Sequence, residues 1–338
     1  MQALRKLAKQ AGSLALVQMD SPPMPGPGEV VLRVAACGVC GSDLHAFNDD
    51  PGYEFVRTPV TLGHEYAGEV VAVGLSTPGW TLGDRACAIA IQGCGHCPAC
   101  LRGDTNQCPG RVVQGLQYDG GMAEYVRVAA RHLVRLPDAI DLRAAALIEP
   151  LSVALHCAAD RTEMAPGDLV VVTGPGIIGM LCGLVARLRG ARVIIAGTAA
   201  DLPARLPVAE QLGLGVVVTG EKSLAEQLPR KADVLIEASG SNGALASAFD
   251  TVRGGGAVSL VGMYVEPANW FLTRAVRGEL TIRGSYASVH RNYLQAAELI
   301  ALGRVPVEPL VRHYPLAEGP RAFADALSRK VLKPILIP

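Results

Sequence analysis

Four cysteines crowd into one short stretch: Cys94, Cys97, Cys100 and Cys108, spaced Cys-x2-Cys-x2-Cys-x7-Cys within GCGHCPACLRGDTNQC. Four thiolates complete a tetrahedral zinc shell, and a shell with no open position is structural rather than catalytic. Gly93, Gly95, Pro98, Gly103 and Pro109 supply the turns that wrap a short loop around an ion. A disulfide cluster is the competing reading, but spacings this tight without a secretion signal favour reduced thiols. Three further segments carry a second set of donors. Cys37–His45 contains Cys40, Gly63-His64-Glu65 adds an imidazole and a carboxylate, and the run EPLSVALH opens on Glu149. Three protein ligands plus a water keep a catalytic zinc open to substrate. Taken singly, each of these side chains reads as an ordinary core residue. Their order, with the four-cysteine loop between the second and third segments, joins them into a site.

The elements that must position these side chains change character along the chain. Residues 1–150 read as strand segments split by Gly and Pro, with β-branched runs at Glu29–Ala36 and Glu69–Gly74 and a turn entering another strand at Leu82–Ala86. From residue 151 the pattern becomes βαβ. Asp168–Thr173 is an apolar strand of the kind buried on both faces. It runs into Gly174-Pro175-Gly176-Ile177-Ile178-Gly179, then an apolar helix to Leu188 and a second strand at Arg192–Ala196. A GxGxxG with a strand before it and a helix after it is a dinucleotide fingerprint. Gly174 permits the tight turn, Gly176 lets backbone approach a pyrophosphate, and Gly179 lets helix and strand pack closely. The helix N-terminus, at Ile177 and Ile178, turns free N–H groups toward that anion. Further strands are predicted at Val216–Thr219, Asp233–Glu237, Gly256–Val261 and Leu280–Gly284, and an amphipathic helix at Tyr293–Leu302. Ser239, Gly240, Val261 and Gly262 fall just past strand C-termini, where they are expected to line the nicotinamide half of the site.

With the Asp119–Tyr125 segment DGGMAEY added, this ordered set resembles the zinc-dependent medium-chain alcohol dehydrogenase superfamily over essentially the whole length. The resemblance implies an α/β protein: a GroES-like β-barrel catalytic domain of residues 1–150 and 286–338, and a doubly wound Rossmann domain of residues 151–285. It also implies two zinc ions per chain. Where the simple alcohol dehydrogenases place a second Cys in the catalytic shell, this chain has Glu149, as in the sorbitol, xylitol and threonine dehydrogenases. The implied shell is Cys40, His64, Glu65 and a water, with Glu149 bound directly or through that water. By the same resemblance, Ser42 and His45 relay the substrate proton, and Asp43 supports His64 through its other ring nitrogen.

The leading expectation is therefore oxidation of a secondary hydroxyl of a polyol or sugar alcohol to a ketone. The alternative is another secondary alcohol, a diol or an amino alcohol such as threonine. Sorbitol dehydrogenases carry a Phe-Arg-Tyr segment near the last Rossmann strand, and the matching stretch here, Tyr286-Ala287-Ser288, lacks the Arg. Phe47, Tyr53 and Tyr118 are candidate pocket walls. The second Rossmann strand ends on Gly197 and Thr198, with no acidic residue for the ribose hydroxyls. That absence favours NADP, whereas Asp201 nearby and the lack of a basic pair tilt the expectation to NAD.

Lys+Arg and Asp+Glu are both 31, so the formal charge is zero. Nothing in that balance points to a nucleic acid or a membrane surface as partner. The N-terminal stretch lacks the continuous apolar core of a signal peptide. A cytoplasmic enzyme of a small-molecule alcohol is expected, and relatives suggest a homo-oligomer, a tetramer. Five of the nine cysteines go to metal sites; Cys37, Cys87, Cys157 and Cys182 remain as small core residues.

Overall fold

Strand-forming runs and Gly-rich turns dominate the first part of the chain, and a computed structural model describing Met1–Pro338 shows how they assemble. The chain divides into two compact units, Met1–Glu149 with Ser288–Pro338, and Pro150–Ala287.

In the first unit the long strand Glu29–Gly38 is central to a mixed sheet. It pairs antiparallel with Glu65–Val73, with Tyr125–Ala129 and with Lys333–Ile337. The run seen at Glu69–Gly74 begins earlier, at Glu65, because the GHE segment turns directly into the strand. The N-terminal residues form a hairpin, Gln2–Lys6 with Leu14–Gln18. Ala36, Ala146 and Ile335 pack into one cluster, which seats the turn before helix Ile148–Leu155 against these strands. The returning helix His290–Ala301 is anchored here, with Tyr293 fully buried and its hydroxyl accepting the Ala90 N–H at 3.0 Å.

The second unit holds six parallel strands. Along the sheet they run Gly215–Thr219, Arg192–Thr198, Leu169–Thr173, Ala232–Glu237, Val252–Leu260 and Thr281–Gly284. Numbered within this unit, the order is 3-2-1-4-5-6, the doubly wound arrangement that binds dinucleotides where the order reverses. The three Val residues of Leu169–Thr173 are wholly buried, as expected of a strand covered on both faces. No helix is long and apolar enough to cross a membrane. Cys37, Cys87, Cys157 and Cys182 are all buried and reduced.

Candidate active site

Sheet register builds the first donor cluster. Gly38 stands opposite Glu65 and Cys37 opposite Tyr66, so the turn that leaves the central strand carries Cys40 to the His64–Glu65 segment. Gly63 sits at φ +97°, and a Cβ there would lie 2.5 Å from Cys37 Sγ and 2.6 Å from Met122 Cγ. Glycine is therefore required for His64 to approach so closely. Ligand atoms of Cys40, His64 and Glu65 all lie within 4.8 Å of one another. Asp43, fully buried on helix Gly41–Asn48, ties two segments together. One carboxylate oxygen accepts the Cys40 N–H at 2.9 Å, and the other faces His64 Nδ1 at 3.7 Å. Ser42 Oγ stands 3.2 Å from His64 Nε2.

Glu149 is buried nearby, but it does not belong to this close group. Burial, and then the charge of Glu65, push its carboxyl up to about 7. Burial and Glu65 likewise hold the Cys40 thiol well above its ordinary value. Two carboxylates, a thiol, Asp43 and an imidazole thus share an interior with one cation, Lys333. That lysine is 1 % exposed, ion-pairs with Glu65 and donates to the Val39 carbonyl at 2.9 Å. Such an excess of buried anionic donors, with soft and imidazole ligands among them, fits a dication such as zinc.

The four-cysteine loop closes on itself. Its thiols lie within 4.8 Å of one another, and Cys94 and Cys100 Sγ are 4.0 Å apart. A tetrahedral Zn–S shell has an edge of about 3.8 Å, whereas a disulfide needs about 2 Å. Backbone donors at His96 and Cys97 draw the Cys94 thiol down to about 6, toward the ligating thiolate.

His45 lies on the same helix as Ser42, one turn on, with its Nδ1 held by Asp50 at 2.7 Å and its ring stacked on Tyr53 at 4.9 Å. Phe47 packs on Phe323, and the Tyr118 hydroxyl donates to the Gln92 side-chain carbonyl. Asp50 and Lys333 were missed by sequence reasoning, since neither sits in a motif.

In the second unit, Gly176 caps helix Ile177–Leu188, and the space a Cβ of Gly179 would fill is taken by the Gly174 carbonyl. Gly197 and Thr198 end the second strand, and Ser239, Gly240, Val261 and Gly262 follow the ends of the fourth and fifth. Asp201 does not present itself to a ribose: its buried carboxylate accepts both the N–H and the hydroxyl of Thr198, each at 2.9 Å.

Residues 26–138 match the alcohol dehydrogenase GroES-like domain, and residues 178–301 match the zinc-binding dehydrogenase family. A sorbitol dehydrogenase of Halalkalibacterium halodurans is 36% identical, covering 100% of this chain and 99% of its own. The L-galactonate-5-dehydrogenase of Escherichia coli is 32% identical over 92% of this chain and 90% of its own. Among solved structures, a zinc-binding dehydrogenase of Sinorhizobium meliloti bound to NADP superposes with a TM-score of 0.91 at 29% identity, covering 100% of this chain and 99% of the other. With the converging donors and the doubly wound sheet, these matches make the chain a member of the zinc-dependent medium-chain alcohol dehydrogenase superfamily, in its polyol dehydrogenase-like branch.

Proposed function

We propose that this protein oxidises a secondary hydroxyl of a polyol or sugar alcohol to a ketone, using NAD or NADP and two zinc ions per chain. The observation that carries the reading is the convergence of Cys40, His64 and Glu65 beside the Ser42 hydroxyl. Cys40, His64 and Glu65 would hold the catalytic ion, with Glu149 buried nearby, and Cys94, Cys97, Cys100 and Cys108 would hold the structural one. When bound, zinc supplies Lewis acidity that makes a hydroxyl acidic near neutral pH, and the dinucleotide supplies the hydride acceptor.

The chain's own residues orient the substrate and move its proton. Asp43 fixes the His64 ring from behind. Lys333 keeps the Glu65 carboxylate from swinging. Ser42 Oγ, beside His64, would take the substrate proton, and His45, three residues on along the helix, would pass it to solvent. Asp50 holds His45 Nδ1 and leaves Nε2 for that exchange.

Acceptance of both dinucleotides is supported by the end of the second strand. One oxygen of Asp201 accepts both Thr198 donors, and Gly197 brings no acidic side chain to a position where even a Cβ would lie 2.9 Å from Leu206 Cδ2 and 3.0 Å from Pro175 Cγ. No carboxylate at that strand end is then poised to repel a 2′-phosphate. Homo-oligomerisation, with a tetramer as its expected form, is supported by the edge strand Thr281–Gly284, paired on one side only, and by exposed Phe271, Leu272 and Val276 nearby.

The second reading, oxidation of a diol or an amino alcohol, is favoured by Tyr286-Ala287-Ser288, which brings no cation to the place where sorbitol dehydrogenases have one. Nicotinamide reduction followed by absorbance separates the readings. The grid is NAD and NADP against polyols, simple secondary alcohols and threonine, with and without chelator. Chelator-sensitive turnover confined to polyols is expected. Turnover of threonine or simple alcohols with polyols inert would overturn the polyol assignment.

A further inference from the structure

Glu237 closes the fourth strand of the doubly wound sheet and stands in register opposite Thr173, the last residue of the first strand. The strand order reverses between these two, and the crevice outside their carboxyl ends is where such a sheet takes its ligand. The Glu237 side chain is fully buried at that point. One of its oxygens accepts the Ser239 N–H at 2.8 Å, the Ser239 hydroxyl and the Thr173 hydroxyl at 3.3 Å. The other accepts the Gly240 N–H at 3.1 Å and the Tyr264 hydroxyl. The donors come from three separate segments: the end of the first strand, the loop after the fourth and the loop after the fifth. Gly262 is part of the same contact, since a Cβ there would lie 2.6 Å from Glu237 Oε2.

Every one of these donors is neutral, and no Lys, Arg or His pairs with the carboxylate. Buried anions are ordinarily balanced by a cation. We infer that Glu237 is a positioning residue that clasps the loops of the dinucleotide crevice and biases it toward the oxidised, cationic nicotinamide over the reduced, neutral one, an assignment that rests on the dehydrogenase reading above. Low-dielectric walls leave the field of this carboxylate weakly screened at the strand ends. Only a ligand state with a differential interaction shifts the balance, and the oxidised ring alone carries the charge.

The test measures binding without turnover. Affinities of the oxidised and reduced dinucleotide are determined by titration, the reduced form through its own fluorescence and the oxidised form by competition against it. In Glu237→Gln the affinity for the oxidised form is expected to fall at least fivefold more than that for the reduced form. Equal losses, or an unchanged ratio, would overturn the inference and leave Glu237 as structural mortar. Should that variant fail to fold, Tyr264→Phe decides. It removes one neutral donor and leaves the charge, so the oxidised-to-reduced preference is expected to rise, and an unchanged or lower preference overturns the proposal. Wild-type protein that binds neither form would sink the dehydrogenase reading itself, an outcome separate from an unchanged ratio in the variants.

Discussion

Replacing Lys333 by Met tests how the catalytic cluster is balanced. The ammonium and its partner Glu65 are each 1 % exposed, and Met conserves length while deleting charge. Removing one member of a buried ion pair costs about 3–5 kcal/mol, because the other is left uncompensated. The Val39 carbonyl also loses its donor. In the metal-free protein we expect that full loss. On the proposed ligand set, a zinc ion at Cys40, His64 and Glu65 would supply positive charge to the same carboxylate and offset about half of that cost, about 2 kcal/mol. Thermodynamic linkage then requires Lys333→Met to bind the ion about thirtyfold more tightly than wild type. The chain has two tryptophans, Trp80 and Trp270. In a Trp270→Phe background, Trp80, stacked under Arg135 at 4.9 Å, reports on the first unit alone. Guanidinium titrations with zinc and with chelator complete the cycle. Both proteins lose the four-cysteine ion equally in chelator, so their difference isolates Glu65. Equal destabilisation by Lys333→Met in the two conditions would refute the idea that lysine and metal share one carboxylate.

Other outcomes are expected from the same geometry. His132 is held by burial, and secondarily by Arg131, down at about 4 against an ordinary 6.5. The unfolded chain therefore binds its proton first, so stability is intact above pH 6.5 and falls by about 3 kcal/mol as pH drops toward 4. His132→Gln should flatten that acid limb in urea titrations, and an unchanged limb would show that burial of this ring is immaterial. Asp50→Asn should lower kcat for alcohol oxidation about tenfold with little change in KM. In a His45→Gln background it should add nothing further, and additive losses would separate Asp50 from the proton path. Cys97→Ser should cut bound zinc from two ions to one and lower Tm. Cys40→Ser should abolish turnover with the fold retained by circular dichroism, and unfolding of both would erase the distinction between the two metal sites.

Local geometry was legible wherever it is written in consecutive residues. The Cys94–Cys108 spacing, Gly63-His64-Glu65 and Gly174–Gly179 each carry their own geometric reason, and the structure holds each in the local form those reasons require. Apolar runs likewise marked the strands at Leu169–Thr173 and Ala232–Glu237. Side chains whose role is made by register were not legible. Lys333 reaches Glu65 only because its strand pairs with Glu29–Gly38, and no local pattern distinguishes it from a surface lysine. The contact between Asp201 and Thr198 was equally hidden, since an acidic residue near a strand end reads the same whether it turns outward or caps its own turn.

The discontinuity of the first unit sets a kinetic condition on the active site. Glu65 and Lys333 meet inside one cluster, yet the whole of Pro150–Ala287 is threaded between them in the chain. Contacts that span so much sequence require closure of a long loop before they are rewarded, and they form late. The second unit is contiguous and its parallel strands are joined by nearby crossovers, so it is free to become native first. A newly made chain would then pass through a stage with its nucleotide crevice shaped and its Glu65 carboxylate still apart from Lys333.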